Sequence, residues 1–204
     1  MPRLRIATPV GESVVDLDPA AEARTVLVIG HGAGGSVEAP DILAVRKACL
    51  AAGISVARVT QPYRVAGKKA VPPIGTLDQA WRAVIASLGR RKVLTGLDFV
   101  YAGRSSGARV ACRCAADELT RPAPIGVVAL AFPLHPPGRP DKSRLPELAA
   151  TPCPVLVVQG VNDPFGMPGP GPGRTVERVP GDHGLRRETA RIGQLVADWI
   201  NTLG

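Results

Sequence analysis

Aromatic side chains are nearly absent: two Trp, two Tyr and three Phe make up 3% of a 204-residue chain. So few rings leave little on which nucleic-acid bases could stack, and they argue against a pocket built for a large hydrophobic substrate. The formal net charge is +8, but Arg outnumbers Lys 20 to 5 and the arginines are scattered from Arg3 to Arg191 with no run longer than two. A nucleic-acid face needs a local basic stripe, and a chain rich in Ala, Arg, Gly, Pro and Val has the composition of GC-rich coding instead. The four cysteines, Cys49, Cys112, Cys114 and Cys153, form no CxxC and no Cys/His spacing of a zinc site. Neither a metal nor a disulfide framework is expected, and they read as small buried hydrophobes. No apolar run approaches the roughly 18 residues of a membrane span, and the N-terminus has no apolar signal core. The expected setting is cytoplasmic, with no cofactor, metal, nucleic acid or membrane partner.

What the chain has in quantity is glycine, 23, and proline, 21, together short of the roughly 25–30% at which disorder becomes the default. Val, Leu, Ile and Phe supply 54 residues, above the roughly 20% floor of disordered chains, so a folded core is expected. The length suits one domain over 1–204, with edge strands in 1–24 and the core in 25–204. Short Val/Ile-rich runs at 25–29, 54–59, 98–101, 126–132, 154–158 and 175–179 read as strands, most of them buried on both faces. Amphipathic segments lie between them. Residues 76–88 put Leu77, Trp81, Val84 and Leu88 on one face with Thr76 and Gln79 at capping-box spacing, 41–52 run from an Asp41 cap to Gly53, and 185–203 repeat Ile192, Val196 and Trp199. Residues 4–17 read as an antiparallel edge hairpin. Such alternation predicts an α/β fold: a mostly parallel sheet with helices on both faces. Glycine and proline concentrate in the loops after the strands, on the rim where such sheets bind ligands.

One of those loops carries a nucleophile motif. Gly103-Arg104-Ser105-Ser106-Gly107 follows the strand DFVYA and precedes a helix of small residues. The sequence G-x-S-x-G suits a sharp strand-to-helix turn, and its spacing selects Ser105 over Ser106. A serine hydroxyl needs a base. Of the three histidines, His183 in GDHG lies between the last strand and the terminal helix, whereas His31 and His135 read more simply as loop residues. An acid must then orient the imidazole. Asp163, in the turn GVNDPFG after PVLVV, is the candidate, because Asp182 adjoins His183 too closely to reach back to its ring. The order Ser105, Asp163, His183 is that of the α/β-hydrolase scaffold. His31-Gly32-Ala33-Gly34-Gly35 follows the first core strand and suits an oxyanion hole, its donors being the amides of Ser106 and Ala33 with Gly34 as a further candidate. A phosphate loop is the rival, but neither G-x-G-x-x-G nor G-x-x-x-x-G-K-[ST] occurs.

Together GHGAGG, GRSSG, AFPLHPPGRP, QGVNDPFG and GDHGL resemble the lidless α/β-hydrolases of the dienelactone-hydrolase-like group. More narrowly they resemble the branch of testis-expressed protein 30-like hydrolases and of the hydrolase-like region of a chromatin acetyltransferase-complex subunit. The resemblance implies a minimal α/β-hydrolase fold without a cap domain, with the nucleophile on Ser105, the acid on Asp163 and the base on His183. His135 matches a family feature and joins Gly34 and Arg104 as a weaker substrate-binding candidate. Dienelactone hydrolases proper use cysteine as nucleophile, and serine here sets their substrate apart. The expected function is a serine hydrolase, carboxylesterase-like, acting on a small soluble ester. The alternative is a hydrolase fold serving as a binding or scaffold protein. Basic residues in or near the 62–75 segment, Arg64, Lys68 and Lys69, with Arg104, Arg139 and Lys142, hint at an acidic substrate if that segment hangs over the cleft.

Overall fold

The computed structural model describes residues 3–204. The Val/Ile-rich runs become strands β3 (Thr25–Gly30), β4 (Ser55–Thr60), β5 (Asp98–Arg104), β6 (Pro124–Leu130), β7 (Val155–Gly160) and β8 (Arg174–Val179). All six run parallel, and β1 (Arg3–Thr8) and β2 (Gly11–Asp18) add the antiparallel edge hairpin, giving the order β1-β2-β4-β3-β5-β6-β7-β8. Continuous rather than alternating hydrophobicity has its cause here: every residue of β7 is buried, because helices cover both faces. On one face α1 (Pro40–Ala51) and α6 (Thr189–Asn201) pack over Leu27, Ile29, Val128 and Leu156. On the other, α3 (Ile74–Gly89) and α4 (Ser106–Ala115) pack over Val26, Val28, Tyr101 and Val127. Trp81 of α3 is fully buried and meets the Tyr101 ring edge-on at 5.9 Å, so its truncation to Ala would cost about 3–5 kcal/mol.

Two helix starts differ from the sequence expectation. Thr76 and Gln79 form no capping box: α3 begins at Ile74 after Pro73, whose extended ψ of 146° sets the first turn, and the Thr76 N–H already donates to the Pro73 carbonyl. Asp41 is likewise not a cap. Pro40 opens α1 with Ala39 as its cap residue and moves Asp41 into the first turn, where its carboxylate is buried close to the N–H groups of Asp41 and Ile42. Two short helices, α2 (Pro62–Val65) and α5 (Leu145–Ala149), lie within segments read as loop or unassigned. Cys49, Cys112 and Cys114 are buried free thiols and Cys153 is partly buried; burial pushes the thiols of Cys49 and Cys112 up to about 12. Among the described residues no helix is long and apolar enough to cross a membrane.

The strand order reverses at β3, with β4 on one side and β5 on the other, and the carboxyl ends of strands at such a switch point are where these sheets bind ligands. Register does the rest. Gly30 pairs with Gly103, so the loops that leave β3 and β5 start side by side, and Gly160 pairs with Val179, which does the same for the loops after β7 and β8.

Candidate active site

The turn after β5 leaves no space for a side chain two residues to either side of Ser105. A Cβ on Gly103 would lie 2.1 Å from the Gly107 carbonyl carbon, and one on Gly107 would lie 2.7 Å from the His31 carbonyl oxygen. Ser105 itself sits at φ +54°, ψ −115°, a conformation costing a non-glycine residue about 1–3 kcal/mol. Its N–H is held by the Leu130 carbonyl, and α4 starts at the next residue.

His183, from the loop after β8, points its Nε2 at the Ser105 Oγ at 2.8 Å, and its Nδ1 lies 2.8 Å from Asp163 Oδ2. A carboxylate can only accept, so the ring proton sits on Nδ1 and the Nε2 lone pair takes the serine O–H. The Asp163 side chain is fully buried, and its Oδ1 accepts the Phe165 N–H while Oδ2 also accepts from Gln159. The Phe165 ring lies against the imidazole, centroids 4.2 Å apart.

Across from the histidine stands the loop after β3. The Gly32 carbonyl accepts from the Gly35 N–H and from His31 Nδ1, and the Gln61 N–H donates to His31 Nε2. His31 is thereby fixed as the neutral Nδ1–H tautomer, and burial pushes its pKa below 6.5. In a trans peptide the N–H points opposite to the carbonyl, so the Ala33 N–H is turned away from these contacts. Tyr63 donates its hydroxyl to the Ala33 carbonyl at 2.8 Å. The Ser106 N–H, at the first position of α4, is one of the helix's orphan donors. Ala33, Gly34, Arg104, Ser105, Phe165 and His183 line one cleft of about 380 Å³.

Residues 23–170 match the family model described as an alpha/beta hydrolase domain. The chain belongs to that family. No curated protein sequence matches it significantly. Among solved structures it is similar to a dienelactone hydrolase from Anabaena variabilis (18% identity, TM-score 0.79, 98% of this chain and 96% of that chain). It is also similar to Est1E from Butyrivibrio proteoclasticus (16%, 0.78, 100% and 99%) and to the Xanthomonas campestris protein XC6422, described as an α/β serine hydrolase without lid (22%, 0.77, 98% and 94%). These likenesses establish the α/β-hydrolase fold, and among the described residues no cap domain interrupts the eight strands.

In this α/β hydrolase Ser105, His183 and Asp163 are thus brought together, with Ala33, Gly34 and Arg104 at the same cleft. His135 is not: its N–H donates to the Phe165 carbonyl and its ring packs on Gly166, bracing the turn that holds Asp163. Nor does the basic segment hang over the cleft. Lys68 lines a different cavity, Arg139 pairs with Asp141, and Arg104 lies 2.9 Å from the buried Asp41. The physical reason is that Tyr63 and Gln61 anchor the start of that segment to the β3 loop, on the side away from His183.

Sequence reasoning missed Gln159 and Arg186, and it read Arg104 only as a weaker substrate-binding candidate. Gln159 donates to Asp163, and the signal for it was a polar residue closing an apolar strand. Arg104 Nη2 donates to the His183 carbonyl at 3.0 Å, with Asp41 balancing its charge off the N–H axis. Arg186, exposed beside His183, also lines the cleft.

Proposed function

We propose that the protein is a serine hydrolase that cleaves an ester, or another acyl bond, of a small substrate through an acyl-enzyme. The observation that carries this reading is the unbroken relay from Ser105 Oγ through the His183 ring to Asp163 Oδ2, with both of its hydrogen bonds 2.8 Å long. Ser105 Oγ attacks the acyl carbon as its proton passes to His183 Nε2. Asp163 keeps the ring in the correct tautomer and balances the imidazolium. The amides of Ser106 and Ala33 hold the oxyanion, helped by the positive end of α4. His183 returns the proton to the leaving oxygen, the alcohol departs, and a water activated by the same imidazole releases the acid. The open cleft of about 380 Å³ suits a short acyl group. Within the family, GHGAGG, GRSSG and QGVNDPFG support a place in the testis-expressed protein 30-like branch.

A fluorophosphonate probe tests the reading on purified protein. Ser105 is labelled and Ser105→Ala is not, and short p-nitrophenyl esters, thioesters or lactones are turned over only by the wild type. Absence of labelling together with no Ser105-dependent turnover would leave the binding or scaffold reading in its place.

A further inference from the structure

The cleft at Ser105 is not alone, and a larger one lies elsewhere on the molecule. A second cleft, of about 500 Å³, shares no lining residue with the first. Its walls are Val10 from the β1–β2 turn, Tyr63 and Val65 from α2, Val71 and Pro72 from the strap that follows, and Leu77 from α3. This is the size and apolar character of a small-molecule site, with a partly exposed rim, Val71 being 41% accessible.

Its polar groups are few and unequal. Glu12 lines the cleft, but its carboxylate is taken up by Arg5. Lys68 also lines it and has no ion-pair partner among the described residues. The unbalanced charge among the lining residues is therefore positive, on an exposed side chain beside an apolar wall.

The same cavity is joined to the β3 loop by two hydrogen bonds. Tyr63 donates its hydroxyl to the Ala33 carbonyl, and the backbone N–H of Gln61, a buried lining residue, donates to His31 Nε2, whose other nitrogen holds Gly32. Whatever presses on Tyr63 or Gln61 presses on the loop assigned to the oxyanion.

We propose that this cleft is a second ligand site for a compact apolar monocarboxylate, held by Lys68, and that its occupancy shifts the β3 loop through Tyr63 and Gln61. The acids released by ester cleavage belong to this class, which makes the site a sensor of product. That last role rests on the hydrolase reading above; binding and loop displacement do not.

The test uses Ser105→Ala protein, titrated with 4-phenylbutyrate and, as the uncharged counterpart, 4-phenylbutanol. Saturable binding of the acid is expected, at least about ten-fold tighter than of the alcohol and weakened at least about ten-fold by Lys68→Glu. Val71→Trp, which fills the cleft from an exposed position, abolishes it, and Lys68→Gln serves if the charge reversal disturbs folding. No saturable binding, or binding indifferent to both positions, overturns the site. Amide resonances of Gly32, Ala33 and Gly34 shift on saturation; unmoved resonances overturn the coupling. Loss of hydrolysis in wild-type protein with these titrations intact would sink the hydrolase reading alone.

Discussion

Gln159 Nε2 lies 2.8 Å from Asp163 Oδ2, the oxygen that also receives the His183 Nδ1–H. The same amide nitrogen reaches the carbonyls of Phe132 and Gly166, so one buried side chain ties the end of β6, the acid and the turn after it into a single unit. Gln159→Leu keeps the volume but frees the acid to rotate. We expect kcat to fall about 10–100-fold with little change in KM, since misplacing a reacting group by about 1 Å costs on that order. Steady-state kinetics on a short ester decides it, and an unchanged kcat would mean that Gln159 only fills the core.

Ser105, the proposed nucleophile, holds a backbone conformation that glycine tolerates far better, φ +54°. Ser105→Gly should therefore gain about 1 kcal/mol of stability, the strain relieved less the entropy a glycine adds to the unfolded chain. Turnover falls by about 10⁴-fold or more in the same protein. Urea melts of wild type, Ser105→Gly and Ser105→Ala separate the two effects, because alanine loses the hydroxyl and keeps the strain.

Glycines around the cleft differ in what a methyl would meet. Gly103→Ala drives a Cβ to 2.1 Å from the Gly107 backbone, which no side-chain rotation relieves, whereas nothing lies within 4 Å of a Cβ on Gly34. Gly103→Ala should cost more than about 3 kcal/mol or prevent folding, and Gly34→Ala should stay within about 1 kcal/mol of wild type. Equal melting temperatures for the two variants would contradict this account of the turn.

The contrast also explains what could be read from the chain alone. The strands were legible because parallel strands covered on both faces become continuous Val/Ile runs, and the nucleophile turn because its steric demand leaves glycine at Gly103 and Gly107. The relay of Ser105, Asp163 and His183 was accessible through chain order and a choice among only three histidines. Arg104 was read as a charge and a weaker substrate-binding candidate, but its contacts are to Asp41 and to a carbonyl 79 residues away, a relationship no local pattern encodes. Thr76 and Gln79 show the opposite failure. Their spacing satisfied a local rule, but Pro73 had already started the helix.

Arg104 bridges Asp41 and the His183 carbonyl, and its removal should be felt in both stability and rate. The Asp41 carboxyl is raised above 3.8 chiefly by burial, with the Arg104 guanidinium opposing the rise. Arg104→Met takes away that opposition and leaves a buried carboxylate without its cation, at a cost of about 3–5 kcal/mol. A carboxyl with a raised folded value favours the folded state when protonated, and that contribution is lost as pH rises through the folded value. The deficit of Arg104→Met is accordingly smallest near pH 4 and grows toward neutral pH, and in the double variant Arg104→Met/Asp41→Leu it shrinks at all pH values while kcat stays low. Denaturant titrations at two pH values, beside kinetics of both proteins, would expose a merely structural role through recovery of kcat in the double variant.

His31 is a buried histidine that the proposed chemistry never touches, and its two ring nitrogens bond the loop proposed to hold the oxyanion and the Gln61 N–H. Neutral, it donates from Nδ1 to the Gly32 carbonyl and accepts the Gln61 N–H at Nε2. Protonated, Nε2 becomes a second donor facing the Gln61 donor, and a charge is created in a buried site. Burial depresses its pKa below 6.5, so its contribution to stability is complete above the unfolded value and is lost as pH falls from there through the folded one. His31→Phe removes both hydrogen bonds. It should lower kcat about 10–100-fold by loosening the Ala33 amide, and it should flatten the fall of stability below about pH 6.5. Thermal melts from pH 7.5 to pH 5, with fluorophosphonate labelling rates at pH 7.5, test both halves. A variant that labels at the wild-type rate would show that the Ala33 amide keeps its place without His31, and a melting profile as steep as that of the wild type would assign the acid sensitivity to another group.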